Sequence, residues 1–178
     1  MKEFSNKPVD QLNPGLQFYK AALEHIDRAT AKVLITSMGL MAILVCVQVF
    51  FRYALSSSID WADEMSRLMF VWSMFLAIPH GVRAGVHVGI DVLVKNLNPT
   101  NERNLARVML AGSSILALII FYNGVIVVVQ KWDELMPTID ITASVYYIPV
   151  LIAMLHSFLH LLFLAIAGPE VWQEEEQS

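Results

Sequence analysis

Charge is the scarce ingredient of this sequence. Only 16% of its 178 residues are charged, against about 25% in an average soluble domain. Cysteine is nearly missing too. Cys46 stands alone, so no disulfide can form within the chain and no four-cysteine zinc site can be built. There is no Walker phosphate loop, no G-x-S-x-G elbow and no H-E-x-x-H helix, which leaves the common motif-borne enzyme classes without footing. There is also no internal repeat, low-complexity run or interdomain linker. The formal net charge of -4 gives a nucleic acid nothing to bind. What is abundant is apolar: 56% of residues are hydrophobic, and the mean hydropathy is +0.56. Together these features point to a membrane protein.

The apolar residues fall into four charge-bounded runs, at 33–51, 68–82, 108–130 and 141–169, of 19, 15, 23 and 29 residues. A spanning helix needs roughly 17–25 apolar residues, so three runs qualify outright. The second is short, and its helix is expected to continue through charged residues at one or both ends. Lipid offers the backbone no hydrogen bonds, which makes helices the natural reading. The runs do not alternate polar with apolar as barrel strands do. The expected fold is therefore an all-α integral membrane protein with four transmembrane helices in a domain over 33–169. A cytoplasmic segment (1–32) precedes it and an acidic cytoplasmic tail (170–178) follows.

Direction follows from lysine and arginine. With both ends inside, the inner side carries 9 of these residues and the outer side 3, so the positive-inside rule favours N-in, C-in. Trp61, Trp132, Tyr53, Tyr146 and Tyr147 then cluster near the outer boundary and Trp172 near the inner one, where aromatic anchors belong. About 30 polar and amphipathic residues precede the first run, and no small-residue cleavage site follows it. The first run is thus expected to stay as an anchor rather than leave as a signal peptide.

Two segments outside the runs look helical. Asn13-Pro14 resembles a helix start. Beyond it Leu16, Tyr19, Leu23, Ile26, Thr30 and Val33 recur at three- and four-residue steps, with Gln17, Lys20, Glu24, Asp27 and Arg28 on other faces. An amphipathic interfacial helix lying along the cytoplasmic membrane surface is expected, the alternative being an extension of the first span. Between spans two and three, Val86, Ile90, Leu93 and Leu97 share one face beside a stripe of His87, Asp91, Lys95 and Asn98. This predicts a short, largely buried helix that breaks at Asn98-Pro99.

The polar residues near the spans carry most of the functional information. Asp63 and Arg67 are i,i+4 and Glu64 and Arg67 are i,i+3, at the start of a span that is too short without them. Ionisable groups at membrane depth are costly and usually paired. They read either as a polar knot that orients the helix against a partner or as an exposed pair worth about 0–1 kcal/mol. Arg52 can meet Asp63 or Glu64 across the short outer turn, or snorkel to the headgroups. Arg83, at the inner end of the second span, is expected to snorkel. His156 and His160 lie one turn apart, and His80 and His87 two turns apart. No carboxylate is expected beside His156 and His160, and the other two straddle the boundary, so inter-helix hydrogen bonding is preferred over haem or metal ligation, and no metal site is expected. Gly112-Ser113-Ser114 and Asn123-Gly124 offer close-packing surfaces. Pro79 and Pro149 are expected to kink their helices.

The ordered set Trp61-x-x-Glu64-x-x-Arg67, Val71-Trp72 and Arg83-x-x-x-His87-x-x-x-Asp91, with Arg52-Tyr53 before it, resembles the small membrane subunit of tripartite ATP-independent periplasmic (TRAP) transporters. The likeness covers residues 52–91 at motif level and all four spans in layout. Ala77 stands where that pattern has glycine, and Pro79 and His80 also depart from it. The resemblance implies a non-catalytic, multi-pass subunit of the bacterial inner membrane. Its implied partners are a large membrane transport subunit, which holds the substrate and sodium sites, a periplasmic substrate-binding protein, and lipid. The small subunit would brace the large one during sodium-coupled uptake of organic acids such as dicarboxylates, oxo acids or sialic acids, with no cofactor of its own. Arg52, Trp61, Asp63, Glu64, Arg67, Trp72, Arg83, His87 and Asp91 are the candidates for the subunit interface. Two other readings compete. A stand-alone four-helix exporter acting as a dimer needs an acid inside a span, and none lies within the four runs. A haem- or metal-binding membrane protein would use the histidines.

Overall fold

The computed structural model describes residues 14–83 and 99–167. Four long helices account for most of them: α1 (Pro14–Ala54), α2 (Asp60–Arg83), α3 (Pro99–Gln130) and α4 (Ile148–Ala167), with a 3-10 turn at Ala143–Tyr146 leading into α4. The only pairing of extended backbone among the described residues is an isolated bridge between Leu135 and Thr142. The chain is thus all-α. Three stretches are long and apolar enough to cross a membrane: α1, Val108–Gln130 and Ala143–Ile166. The third-run boundaries read from the sequence coincide with the second of these.

α1 differs from the expected separate surface helix. It runs unbroken for 41 residues, about 60 Å at 1.5 Å per residue, while a hydrocarbon core is about 30 Å thick. Its N-terminal half therefore extends well beyond the apolar run. One face of that half is packed against α4. Leu23 is buried, the Tyr19 hydroxyl donates to the Leu159 carbonyl at 2.9 Å, and the Tyr19 ring stacks on Phe163 at 5.6 Å. The buried face is Lys20, Leu23, Asp27, Thr30 and Ser37, a three-four repeat that keeps one side turned inward over five turns. Ile26 and Val33, expected on that face, are exposed. The helix ends where Ser56 takes a left-handed φ of 49° and the Leu55 and Ser57 amides both return to the Phe51 carbonyl, at 3.1 and 3.2 Å.

α2 spans 24 residues, so it does extend past its 15-residue apolar run at both ends. Asp60 and Asp63 occupy its first turn and Arg83 its last, complementing the helix dipole at each end. Pro79 is buried inside the helix, which continues beyond it. Pro149 is the second residue of α4. There a proline has no hydrogen bond to break, so it opens the helix instead of kinking it. α3 begins at Pro99 itself, also within the first turn, where proline is favourable.

The helices pack as a row rather than a closed square. α1 lies against α2, α2 against α4, and α4 against α3, with a smaller contact between α1 and α4. One apolar cluster joins Leu23 of α1, Leu110 and Ala117 of α3, and Leu161, Phe163 and Leu164 of α4. A side chain at Gly124 would place its first carbon 2.7 Å from Leu151 Cδ2, so α3 and α4 approach closely there, as the small-residue pattern suggested. Gly112 has open space instead. The segment expected to form a short helix between spans two and three, with His87 and Asp91, lies outside the described residues, as do the acidic tail and Trp172.

Candidate functional site

Two polar assemblies hold the row together, one at each end. At the end expected to face the cytoplasm, here called inner, α1, α2 and α4 converge on the Asp27 carboxylate. His156 Nε2 and His160 Nε2 approach Asp27 Oδ1 at 2.8 and 2.9 Å, and Arg83 Nη1 donates to Oδ2 at 2.9 Å. The two histidine nitrogens are 3.1 Å apart. Asp27, His156 and His160 are all essentially removed from solvent. Thr30, one turn along α1, hydrogen-bonds to the Ile26 carbonyl at 2.9 Å, and its hydroxyl lies 3.2 Å from His80 Nε2. The His80 ring stands edge-on to His156 at 6.1 Å. His80 therefore borders this cluster.

This arrangement corrects two expectations. Arg83 does not simply snorkel, because it pairs with an acid 56 positions earlier. A carboxylate does sit beside His156 and His160, supplied by α1. The sequence places Asp27 off the stripe that holds Leu23 and Thr30, whereas the structure buries all three on one face. The signal that could have found it is the repeat Lys20, Leu23, Asp27, Thr30, Ser37, which has helical spacing but mixed polarity. Inter-helix hydrogen bonding by the histidines, the preferred sequence reading, is present in this cluster.

At the outer end, the N-terminal turns of α2 hold the connection between α3 and α4. Glu64 Oε2 accepts the Thr138 amide at 2.9 Å and also the Thr138 hydroxyl. The Tyr146 hydroxyl donates to the Glu64 carbonyl at 3.2 Å, and Trp72 Nε1 donates to the Val145 carbonyl at 3.1 Å. Residues 131–142 fold back on themselves through Met136 N to Ile141 O at 2.9 Å and Ala143 N to Glu134 O at 2.7 Å. Lys131 clamps Glu134 at 2.6 Å, and these hydrogen bonds raise the lysine's pKa above its usual value. The connection is short, yet it is a built structure.

The interface candidates divide accordingly. Glu64, Trp72 and Arg83 are engaged inside the chain. Asp63 accepts from Arg67 Nη2 at 3.3 Å and from Gln48 Nε2 at 3.2 Å. The i,i+4 pair is therefore formed, and with its side chains 60% and 70% exposed it contributes about 0–1 kcal/mol. Arg52 meets neither Asp63 nor Glu64. Arg52, Trp61 and Arg67 present exposed side chains at the outer end, while His87 and Asp91 lie outside the described residues.

The family model described as "Tripartite ATP-independent periplasmic transporters, DctQ component" matches residues 41–168. The chain is 29% identical over 107 residues to the C4-dicarboxylate TRAP transporter small permease protein DctQ of Rhodobacter capsulatus, covering 60% of this chain and 47% of that protein. It is 37% identical over 68 residues to the protein of the same name from Vibrio cholerae, covering 38% and 29%. To the ectoine TRAP transporter small permease protein TeaB of Halomonas elongata it is 24% identical over 143 residues, covering 79% and 74%. The chain thus spans about half or less of the length of the first two relatives. Glu64, Trp72, Arg83, His156 and His160 lie within the family-matched residues, whereas Asp27 precedes them.

Proposed function

Because this chain belongs to the DctQ component family of TRAP transporters, we propose that it acts as the non-catalytic small membrane subunit of such a transporter, bracing the large transport subunit. It stands in the bacterial inner membrane beside that subunit, and a periplasmic binding protein delivers the substrate. Transport is coupled to sodium, which binds the large subunit. Substrate class is set by those partners, and organic acids fit the family resemblance. Two relatives are named for C4-dicarboxylate and ectoine transport.

The observation that carries the bracing role is the open row of helices. Its polar groups are spent on fixing helix to helix, at Asp27 and at Glu64. Meanwhile Ile35, Met38, Ile43, Val49 and Phe50 on α1 and Val108, Ile115, Ile119 and Val129 on α3 are exposed. Exposed apolar faces of this breadth suit lipid and a second membrane protein. A slab with broad apolar faces and its polar groups paired within the chain suits a static support.

The test is affinity purification of tagged chain from native membranes in mild detergent, with mass spectrometry. A stoichiometric large polytopic partner is expected, and Trp61→Ala should lower its recovery while leaving the subunit's own melting temperature unchanged. Recovery of the chain alone as a homo-oligomer, or uptake by liposomes holding this chain alone, would overturn the reading.

A further inference from the structure

The geometry points to a divalent transition-metal site formed by Asp27 Oδ1, His156 Nε2 and His160 Nε2, which clasps α1 to α4. The three atoms stand 2.8, 2.9 and 3.1 Å from one another, and the three side chains are 0–3% exposed.

Hydrogen atoms alone do not account for this triangle. Each Nε2 either carries a proton or presents a lone pair. If both carry protons, both can donate to Oδ1, but the nitrogen–nitrogen contact then sets donor against donor. If only one does, the other nitrogen faces the carboxylate lone pair to lone pair. With the carboxylate ionised beside Arg83, no assignment makes all three contacts attractive. A cation does, because all three atoms then direct lone pairs at one centre.

The dimensions suit such an ion. A metal about 2.1 Å from each atom would see the three at mutual angles near 90°, the face of an octahedron. A tetrahedral site with the same bond lengths would need separations of about 3.4 Å. Two imidazoles and one carboxylate are borderline donors, suited to Zn²⁺, Co²⁺, Ni²⁺ or Fe²⁺ rather than Ca²⁺ or Mg²⁺. The i,i+4 spacing of His156 and His160 places both on one face of α4, as in helical zinc motifs. Arg83 on Oδ2 is the outer hydrogen-bond partner that ligating carboxylates commonly have. Its side chain is 32% exposed, so water partly screens its charge from the ion. Among the described residues His156 Nδ1 has no acceptor. Loss of such a partner typically weakens metal binding about 10–100-fold, so the expected affinity is micromolar, below that of structural zinc sites. Asp27 lies before the family-matched residues, so family membership does not by itself imply the triad.

The test uses full-length protein in detergent, carrying a histidine-free tag, stripped with chelator and dialysed against zinc. About one zinc per chain is expected by elemental analysis. Asp27→Asn and His160→Gln should each weaken binding at least about tenfold, in line with loss of one ligand. His25→Gln, on the exposed face of α1, should bind as wild type does. X-ray absorption on zinc-loaded wild type, which needs no variant to fold, should show imidazole nitrogen and oxygen ligands at about 2.0–2.2 Å. Substoichiometric zinc in the wild type, equal binding by Asp27→Asn, or a spectrum without imidazole scattering would each overturn the proposal and leave a proton-carrying cluster only.

Discussion

Replacing Asp27 by alanine should destabilise the fold more than any other single loss of a polar side chain among the described residues. The carboxylate is the common acceptor for α2 and α4: Arg83 at 2.9 Å, His156 at 2.8 Å and His160 at 2.9 Å. Each charge-assisted contact contributes about 1.5–3 kcal/mol. The three do not add, because Arg83 is partly exposed and can return to water. The histidines cannot, since they are buried. Breaking a buried pair by removing one partner costs about 3–5 kcal/mol, and alanine's better helix propensity returns about 0.5 kcal/mol. A net loss of about 3–4 kcal/mol is therefore expected. Arg83→Ala removes one contact and leaves Asp27 beside two imidazoles. Its exposure discounts the loss to about 1–2 kcal/mol. The assay is reversible unfolding in mixed micelles with increasing dodecyl sulfate, followed by circular dichroism, with chelator present so that no metal contributes. Asp27→Ala within about 1 kcal/mol of wild type, or Arg83→Ala costing as much as Asp27→Ala, would refute the claim that the carboxylate organises the inner end.

Substitutions at three further positions test the packing. Trp72→Phe keeps an aromatic ring but loses the bond to the Val145 carbonyl, and should cost about 0.5–1.5 kcal/mol in the same titration. Glu64→Ala frees Thr138 and should speed amide exchange across residues 131–142, with little change in the exchange of α1; an unchanged loop would show that Glu64 does not hold it. Gly124→Ala should be nearly neutral, since the clashing atom is the tip of Leu151 and alanine gains about 1 kcal/mol in helix propensity. Gly124→Leu should cost about 1–3 kcal/mol by forcing α3 from α4, read as a lower melting temperature.

Much of the architecture was legible because lipid imposes a simple grammar. The run at 108–130 could only be a span, and the 15-residue second run had to borrow length from its charged flanks, as α2 does. α1 departs from the expected separate surface helix at Lys32, a charge that bounds the apolar run but not the helix. Backbone hydrogen bonding does not stop at a charged side chain, and Lys32 projects outward from a helix that continues. Asp27 was illegible for a different reason. Whether an acid faces water or the interior depends on a partner, and its partners lie 56, 129 and 133 positions away. The His156–His160 spacing was visible, but not the third group that gives it meaning. The same holds for Glu64, whose motif position was conspicuous while its acceptor role toward Thr138, 74 residues on, was not.

The row order of the helices also constrains how the chain is made. α1 and α2 are neighbours in sequence and in space, so they can pair as a hairpin as soon as both have left the ribosome. α3 emerges next, but its main contacts are with α4 and the turn before it. Among the described residues, its docking within the chain therefore waits until α4 arrives and wedges between it and α2. Assembly of the subunit is thus decided by its last helix, and a nascent chain that stalls after α3 would hold a finished hairpin beside a helix with nowhere to dock.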